Sequence, residues 1–262
     1  MITTAIVFKR ATSREKLCAI FTFSMLLSFL FLLMPAPTLA GPPFKTDDPQ
    51  PVDYLHWEFY VASVQQIGRH EINATYPHFE VNYGVVPNMQ LHVLLPFGYV
   101  HTDAATHFGF SDAEIGVKYR FVEETETHPQ VGLFPLVELP TGNENEQLGA
   151  GRIQACLPVW IQKSWGKLTT YAGGGFWYNS GPQQKNWMFT GWEVQYDFSN
   201  VITLGGEFYY QSVDAEDSES KRGFNIGGII NLNEYHHILF SFGSSVSGPE
   251  TITGYIGYQL TI

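Results

Sequence analysis

The chain is poor in basic residues, almost without cysteine and, after its first forty residues, without any long apolar run. Each scarcity removes a class of protein. Fourteen Lys and Arg stand against 25 Asp and Glu, a formal charge of −11 over 262 residues. Such a chain lacks the clustered cations that phosphate binding needs, which excludes nucleic acid as a partner. Two cysteines, Cys18 and Cys156, cannot staple a scaffold of this length. A helical period of 3.6 is nowhere sustained beyond the N-terminus, and 25 glycines and 15 prolines spread through the sequence disfavour helix further. Disorder is excluded as well, because 44% of the residues are hydrophobic.

What is present begins with a targeting signal. Lys9, Arg10, Arg14 and Lys16 precede an apolar run from Leu17 to Leu33, followed by prolines and Thr38-Leu-Ala40. This is the layout of a secretory signal peptide over residues 1–40, cut between Ala40 and Gly41. An uncleaved anchor is the alternative, since the run approaches the roughly 18 residues of a candidate span. Cleavage removes four basic residues and the acidic Glu15, leaving 10 positive against 24 negative charges. It also leaves Cys156 alone, a small residue with no neighbour in sequence that would activate its thiol.

The remaining sequence alternates apolar and polar residues with period two over segments of about ten, separated by turn residues. Twelve such strands are predicted: 55–66, 74–85, 89–99, 111–122, 130–140, 151–162, 167–178, 187–198, 201–212, 222–232, 236–245 and 251–262. In the fourth, Ala113, Ile115, Val117, Tyr119 and Phe121 share one face, with Asp112, Glu114, Gly116, Lys118 and Arg120 on the other. In the eighth, Trp192, Val194, Tyr196 and Phe198 oppose Glu193, Gln195 and Asp197. A soluble sandwich also alternates, with its apolar face inward. Here the polar face holds glycine and charge of both signs. Aromatic residues gather at strand ends: Tyr99, Phe121, Trp177, Tyr178, Trp187, Phe198, Tyr209 and Tyr210. End-placed rings suit two membrane interfaces, and only a closed barrel satisfies every backbone group of a β structure in lipid. Mostly short connections alternate with longer acidic ones such as 141–150 and 213–221, the asymmetry of outer-membrane barrels with tight periplasmic turns. The expected fold is all-β, an antiparallel transmembrane barrel of about 12 strands over residues 55–262, in the outer membrane of a Gram-negative bacterium. Outer-membrane lipid and the barrel-assembly machinery are its expected partners.

A resemblance rests on motifs in order along the chain: Thr46-Asp-Asp-Pro49, His56-Trp-Glu58, Val81-Asn-Tyr-Gly84 and Asp112-Ala-Glu-Ile-Gly-Val-Lys-Tyr-Arg-Phe121. After them come Leu139-Pro-Thr-Gly142, Leu148-Gly-Ala-Gly-Arg152, Gly205-Gly-Glu207, His236-His237 and Gly254-Tyr-Ile-Gly-Tyr258. The sequence resembles the outer-membrane β-barrels of the MetA-pathway of phenol degradation family, often described as transporters. That resemblance implies passage of a small hydrophobic or aromatic solute and implies no reaction. The chain departs from the common barrel ending by finishing in Ile262 in place of Phe.

The candidate interior is a polar network of Glu58, Glu80, Glu114, Lys118, Arg120, Glu138, Arg152, Glu193 and Glu207. Two readings stay open: salt bridges that fill and close a structural, non-conducting barrel, or a polar track that guides solute. Either way Lys118, Arg120 and Arg152 are expected to pair with acids, the arginines opposite Glu114, Glu138 and Glu207. Residues 41–54, rich in proline, are expected to be a periplasmic lead, or a plug whose Asp47 and Asp48 meet inner arginines.

Catalysis finds no support. No His-x-Ser pair occurs, His237 and Ser241 lie about 13 Å apart along a strand, and His101 with Asp103 is the only rim pair of protease type. The repeated His-x-Glu of His56/Glu58 and His78/Glu80 falls to chance alternation before it reaches a metal site. No enzyme, no metal and no cofactor is expected.

Overall fold

A computed structural model describes residues 42–179 and 181–262. The predicted signal segment lies outside them. We number twelve antiparallel strands: β1 Trp57–Gly68, β2 Glu71–Val86, β3 Met89–Thr102, β4 in two pieces Thr106–Phe110 and Ala113–Val122, and β5 in two pieces Gln130–Leu133 and Leu136–Leu139. Then follow β6 Gln154–Trp165, β7 Leu168–Tyr178, β8 Trp187–Asp197, β9 Ile202–Gln211, β10 Lys221–Asn231, β11 His236–Ser247 and β12 Thr251–Thr261. Each pairs with its sequence neighbours, and β1 pairs with β12 from Glu58↔Thr261 to Gly68↔Thr251. The sheet has no free edge: it is a closed barrel of twelve strands.

The burial pattern decides what solvent the barrel is built for. On the outer face Leu157, Phe208 and Phe242 are about 60% exposed, whereas on the inner face Glu193, Glu207, Gln162 and Gln259 are 0–1% exposed. Hydrocarbon outside and buried polar groups inside invert a soluble sandwich and match a wall wetted by acyl chains. No helix among the described residues is long and apolar enough to cross a membrane; the strands are the spanning elements. Arginine in place of Val159, on the outer face midway along β6, is therefore expected to cost about 2–4 kcal/mol of stability in a bilayer, with Val159→Leu nearly neutral. Denaturant titration in phospholipid vesicles checks it, and an unchanged midpoint for Val159→Arg contradicts a lipid-facing wall.

The two broken strands have local causes. Pro135 offers no N–H to the ladder, so β5 is interrupted at Phe134 and Pro135. In β4, Ser111 and Asp112 leave the ladder to hold the connection 140–153. Asp112 Oδ1 accepts from Gly142 N (2.9 Å) and Oδ2 from Ala150 N (2.6 Å). That connection turns inward, and Leu148, only 3% exposed, packs against the bare backbone of Gly98 on β3 and Gly109 on β4. Among the further irregularities, register shifts in β1 between Ala62 and Gln65 and in β2 between Thr75 and His78.

Candidate functional site: the barrel interior

The site is the lumen, and its largest occupant is the chain's own lead. Residues 42–54 run along the inner wall, where Thr46 and Asp48 are fully buried. Glu207 on β9 is the principal anchor. Its carboxylate accepts from Lys45 N (2.9 Å), Thr46 N (2.7 Å), Thr46 Oγ1 (2.6 Å) and Asn225 Nδ2 (2.5 Å). Four donors hold one buried carboxylate that has no salt-bridge contact among the described residues, through convergent N–H and O–H dipoles. Elsewhere Ser241 Oγ donates to Pro43 O (2.6 Å), Val52 N to Gln90 Oε1 (2.8 Å) and Gln130 Nε2 to Gln50 Oε1 (3.3 Å). Small wall residues make the room. A Cβ built on Gly191 lies 3.0 Å from that of Thr46, and one on Gly132 lies 3.0 Å from Pro49 Cβ.

Lys118 on β4 is the cation of this contact: its ammonium lies 3.0 Å from Asp47 Oδ1 and 3.3 Å from Asp48 Oδ2. The partner of the two aspartates is thus a lysine and not the expected arginines. Burial pushes the Asp48 carboxyl up to about 7 although Lys118 pulls it down. Burial likewise lowers the Lys45 ammonium to about 8, with Glu207 opposing.

The arginines behave differently from expectation. Arg120 donates to Asn88 Oδ1 (Nε 3.0 Å, Nη2 2.6 Å) and Gln130 Oε1 (3.0 Å). Arg152 donates to Asn179 Oδ1 (3.3 and 3.1 Å) and Ala150 O (3.0 Å). Arg120 lies near the end of β4 and Arg152 just before β6, each within reach of loop amides and carbonyls. The expected salt bridges of Arg120 and Arg152 with Glu114, Glu138 and Glu207 are not formed. The remaining carboxylates find other partners. Glu58 accepts from Tyr60 Oη (2.7 Å) and Glu80 from Asn82 Nδ2 (2.8 Å). Glu114 lies 3.0 Å from His92 Nε2 and pairs in register with Glu138. Glu193 is fully buried, and neither carboxylate oxygen has a hydrogen-bond partner among the described residues. Gln90 and Asn225 carry contacts of this kind and were not singled out by sequence. Their only signal was an inward parity shared with the charged residues.

The end-placed aromatics, expected at the membrane interfaces, divide between the two faces of the wall. Tyr178 faces outward and is exposed, as a membrane girdle requires. Trp177, Trp187 and Tyr209 share strand parity with buried Tyr171, Glu193 and Glu207 and face the lumen instead. Trp177 and Trp187 stack 5.1 Å apart at 9°. Among the described residues no group of three or more His, Cys, Asp or Glu gathers as metal ligands, and Cys156 is buried and free.

Comparison with known proteins gives the frame. No curated protein matches the sequence. The fold is similar to the COG4313 outer membrane channel from Pseudomonas putida F1, at TM-score 0.71 and 16% identity over 86% of this chain and 100% of that one. It is also similar to the KdgM porin (TM-score 0.54, 8% identity, 77% and 98% covered) and the NanC porin (0.54, 10%, 77% and 98%). These are channels and porins, and the shared architecture is that of the outer-membrane barrel. The sequence model of the family described as "Putative MetA-pathway of phenol degradation" matches residues 71–259, and the chain belongs to that family.

Proposed function

We propose that the protein is an outer-membrane channel for a small hydrophobic or aromatic solute, with residues 42–54 as a plug that closes the lumen. The observation that carries this reading is how the lead is held. Its grip on the wall is polar and local, through Glu207, Lys118, Gln90 and Ser241, and the barrel closes without it because β1 begins at Trp57. Apart from the bridge of Tyr54 to Gly84 on β2, the lead is not part of the ladder, and residues 42–53 can leave without opening the sheet. The polar network of Glu58, Glu80, Glu114, Lys118, Arg120, Glu138, Arg152, Glu193 and Glu207 then serves as both seat for the plug and wall of the path. Support for an apolar solute comes from the inward rings and from the family association with aromatic degradation. The alternative, a structural barrel that conducts nothing, is an outcome of the same test.

Lipopolysaccharide-coated cells exclude 1-N-phenylnaphthylamine, which fluoresces once past the outer leaflet. Cells making the protein are expected to take up this probe several-fold faster than cells without it, and equal rates favour the structural barrel. A smaller test addresses the seat. Gly191→Val places side-chain atoms where Thr46 lies and is expected to dislodge the lead, with faster uptake and new protease sensitivity near residue 46. An unchanged digestion pattern removes Thr46 from the seat.

A further inference from the structure

One wall of the lumen carries an ordered run of rings that the plug contacts do not explain. In register, Trp177 on β7 faces Trp187 on β8, and two residues further in Gly175 faces Phe189. One step deeper Gly173 lies between Trp160 on β6 and Gly191 on β8, and Gly191 pairs with Tyr209 on β9. The rings touch in two groups on this face, Trp177 with Trp187 at 5.1 Å, and Phe189 with Trp160 at 6.4 Å and with Tyr209 at 6.2 Å, and Trp187 and Phe189 are successive inward residues of β8. Glycines on the same inner face keep the wall flat between them. A Cβ at Gly173 would stand 2.6 Å from the Trp160 ring.

The run has an open end and a closed one. Trp177 and Trp187 are half-buried at the end of the barrel that carries the long connections, while Trp160 and Tyr209 are buried. At the inner end the Lys45 ammonium lies 4.5 Å over the Tyr209 ring. Lys45 belongs to the lead, so a ring face that a removable segment now covers with a cation becomes free when it departs. The row below supplies unmet polar atoms: Glu193 Oε1 and Oε2 and the Gln162 amide, together with Trp160 Nε1, have no partner among the described residues. Stacked rings prefer flat π-systems at such separations over saturated groups of equal size, and a ring face that holds an ammonium competes with any ligand for the same surface.

We propose that Trp160, Trp177, Trp187, Phe189 and Tyr209 form a binding track for planar aromatic solutes, and that Lys45 closes its foot by occupying Tyr209. This rests on the channel reading and deepens it by naming the residues that select the solute and the contact that links solute to plug. Solute at the foot and Lys45 on Tyr209 exclude each other, so binding favours release of the lead.

The test is equilibrium dialysis of the full-length protein in detergent against 2-naphthol and its saturated counterpart decahydro-2-naphthol, with protein-free micelles as blank. Wild type is expected to bind 2-naphthol about tenfold more tightly than the saturated compound. Trp187→Leu and Phe189→Leu keep apolar bulk and are expected to lose most of that preference. Phe208→Leu, on the outer face, should keep it, and Lys45→Gln should bind 2-naphthol a few-fold more tightly. Equal binding of the two compounds, or a preference untouched by both inner variants, overturns the track. Failure here leaves the channel standing if cells still admit 1-N-phenylnaphthylamine. Conversely, a selective track in a protein that admits none removes the channel and keeps the site.

Discussion

Deletion of residues 42–53 is expected to raise the single-channel conductance of the reconstituted protein by about an order of magnitude. The lead removes cross-section from a lumen of only twelve strands, where side chains alone come close to filling the space. Its loss leaves the barrel intact, since Glu58 to Gly68 pair with β12 whatever precedes them. It also leaves Glu207 and Lys118 facing water, which stabilises both charges once solvent enters. Planar-bilayer recordings of the full and shortened chains check this. Equal conductance, with both barrels resisting heat-induced unfolding in detergent, would mean that the lead does not obstruct the path.

A comparable opening is expected from one side chain. Lys118→Met removes the ammonium from between Asp47 and Asp48 and leaves the buried carboxyls without their cation, to be held as stranded charge or, at Asp48, neutralised by a proton. Breaking a buried pair on one side costs about 3–5 kcal/mol, which shifts a docked-to-released equilibrium by more than 100-fold. The variant should conduct like the truncated chain. Adding Asp47→Asn and Asp48→Asn removes the stranded charge and should return much of the closed population. If Lys118→Met stays closed, the grip of Glu207 on Lys45 and Thr46 is sufficient alone.

Much of this was legible in the sequence. Alternation with period two places Ile115 and Tyr119 on one face and Lys118 on the other, and each face meets the solvent its chemistry asks for. Strand number followed from turn residues. The twelve predicted segments correspond to the twelve strands, although β4 and β5 are each broken once. What stayed hidden is non-local. Thr46 and Glu207 are 161 residues apart, and no local pattern brings a proline-rich segment to a particular glycine of the eighth strand. Tether and plug require the same extended backbone, so composition cannot separate them. The arginines were misread because charge complementarity ignores distance. Arg120 lies near the end of β4 and Arg152 just before the start of β6, beside Asn88 and Asn179, which are nearer than any acid. Aromatic position also misled, because a ring at a strand end serves the membrane girdle or the lumen according to parity, and Trp177 and Tyr178 differ by one residue.

The most direct test locks the lead in place. Thr46→Cys with Gly191→Cys, made in a Cys156→Ser background, removes the Thr46 Oγ1 that a side chain at position 191 would meet and sets two Cβ atoms 3.0 Å apart, so a shift of about 0.5 Å in the lead brings them to disulfide separation. Oxidised protein is expected to admit no 1-N-phenylnaphthylamine into cells, and reduction of the same sample should restore uptake to the level of the untethered chain. Uptake that is equally fast with the disulfide formed would contradict the account.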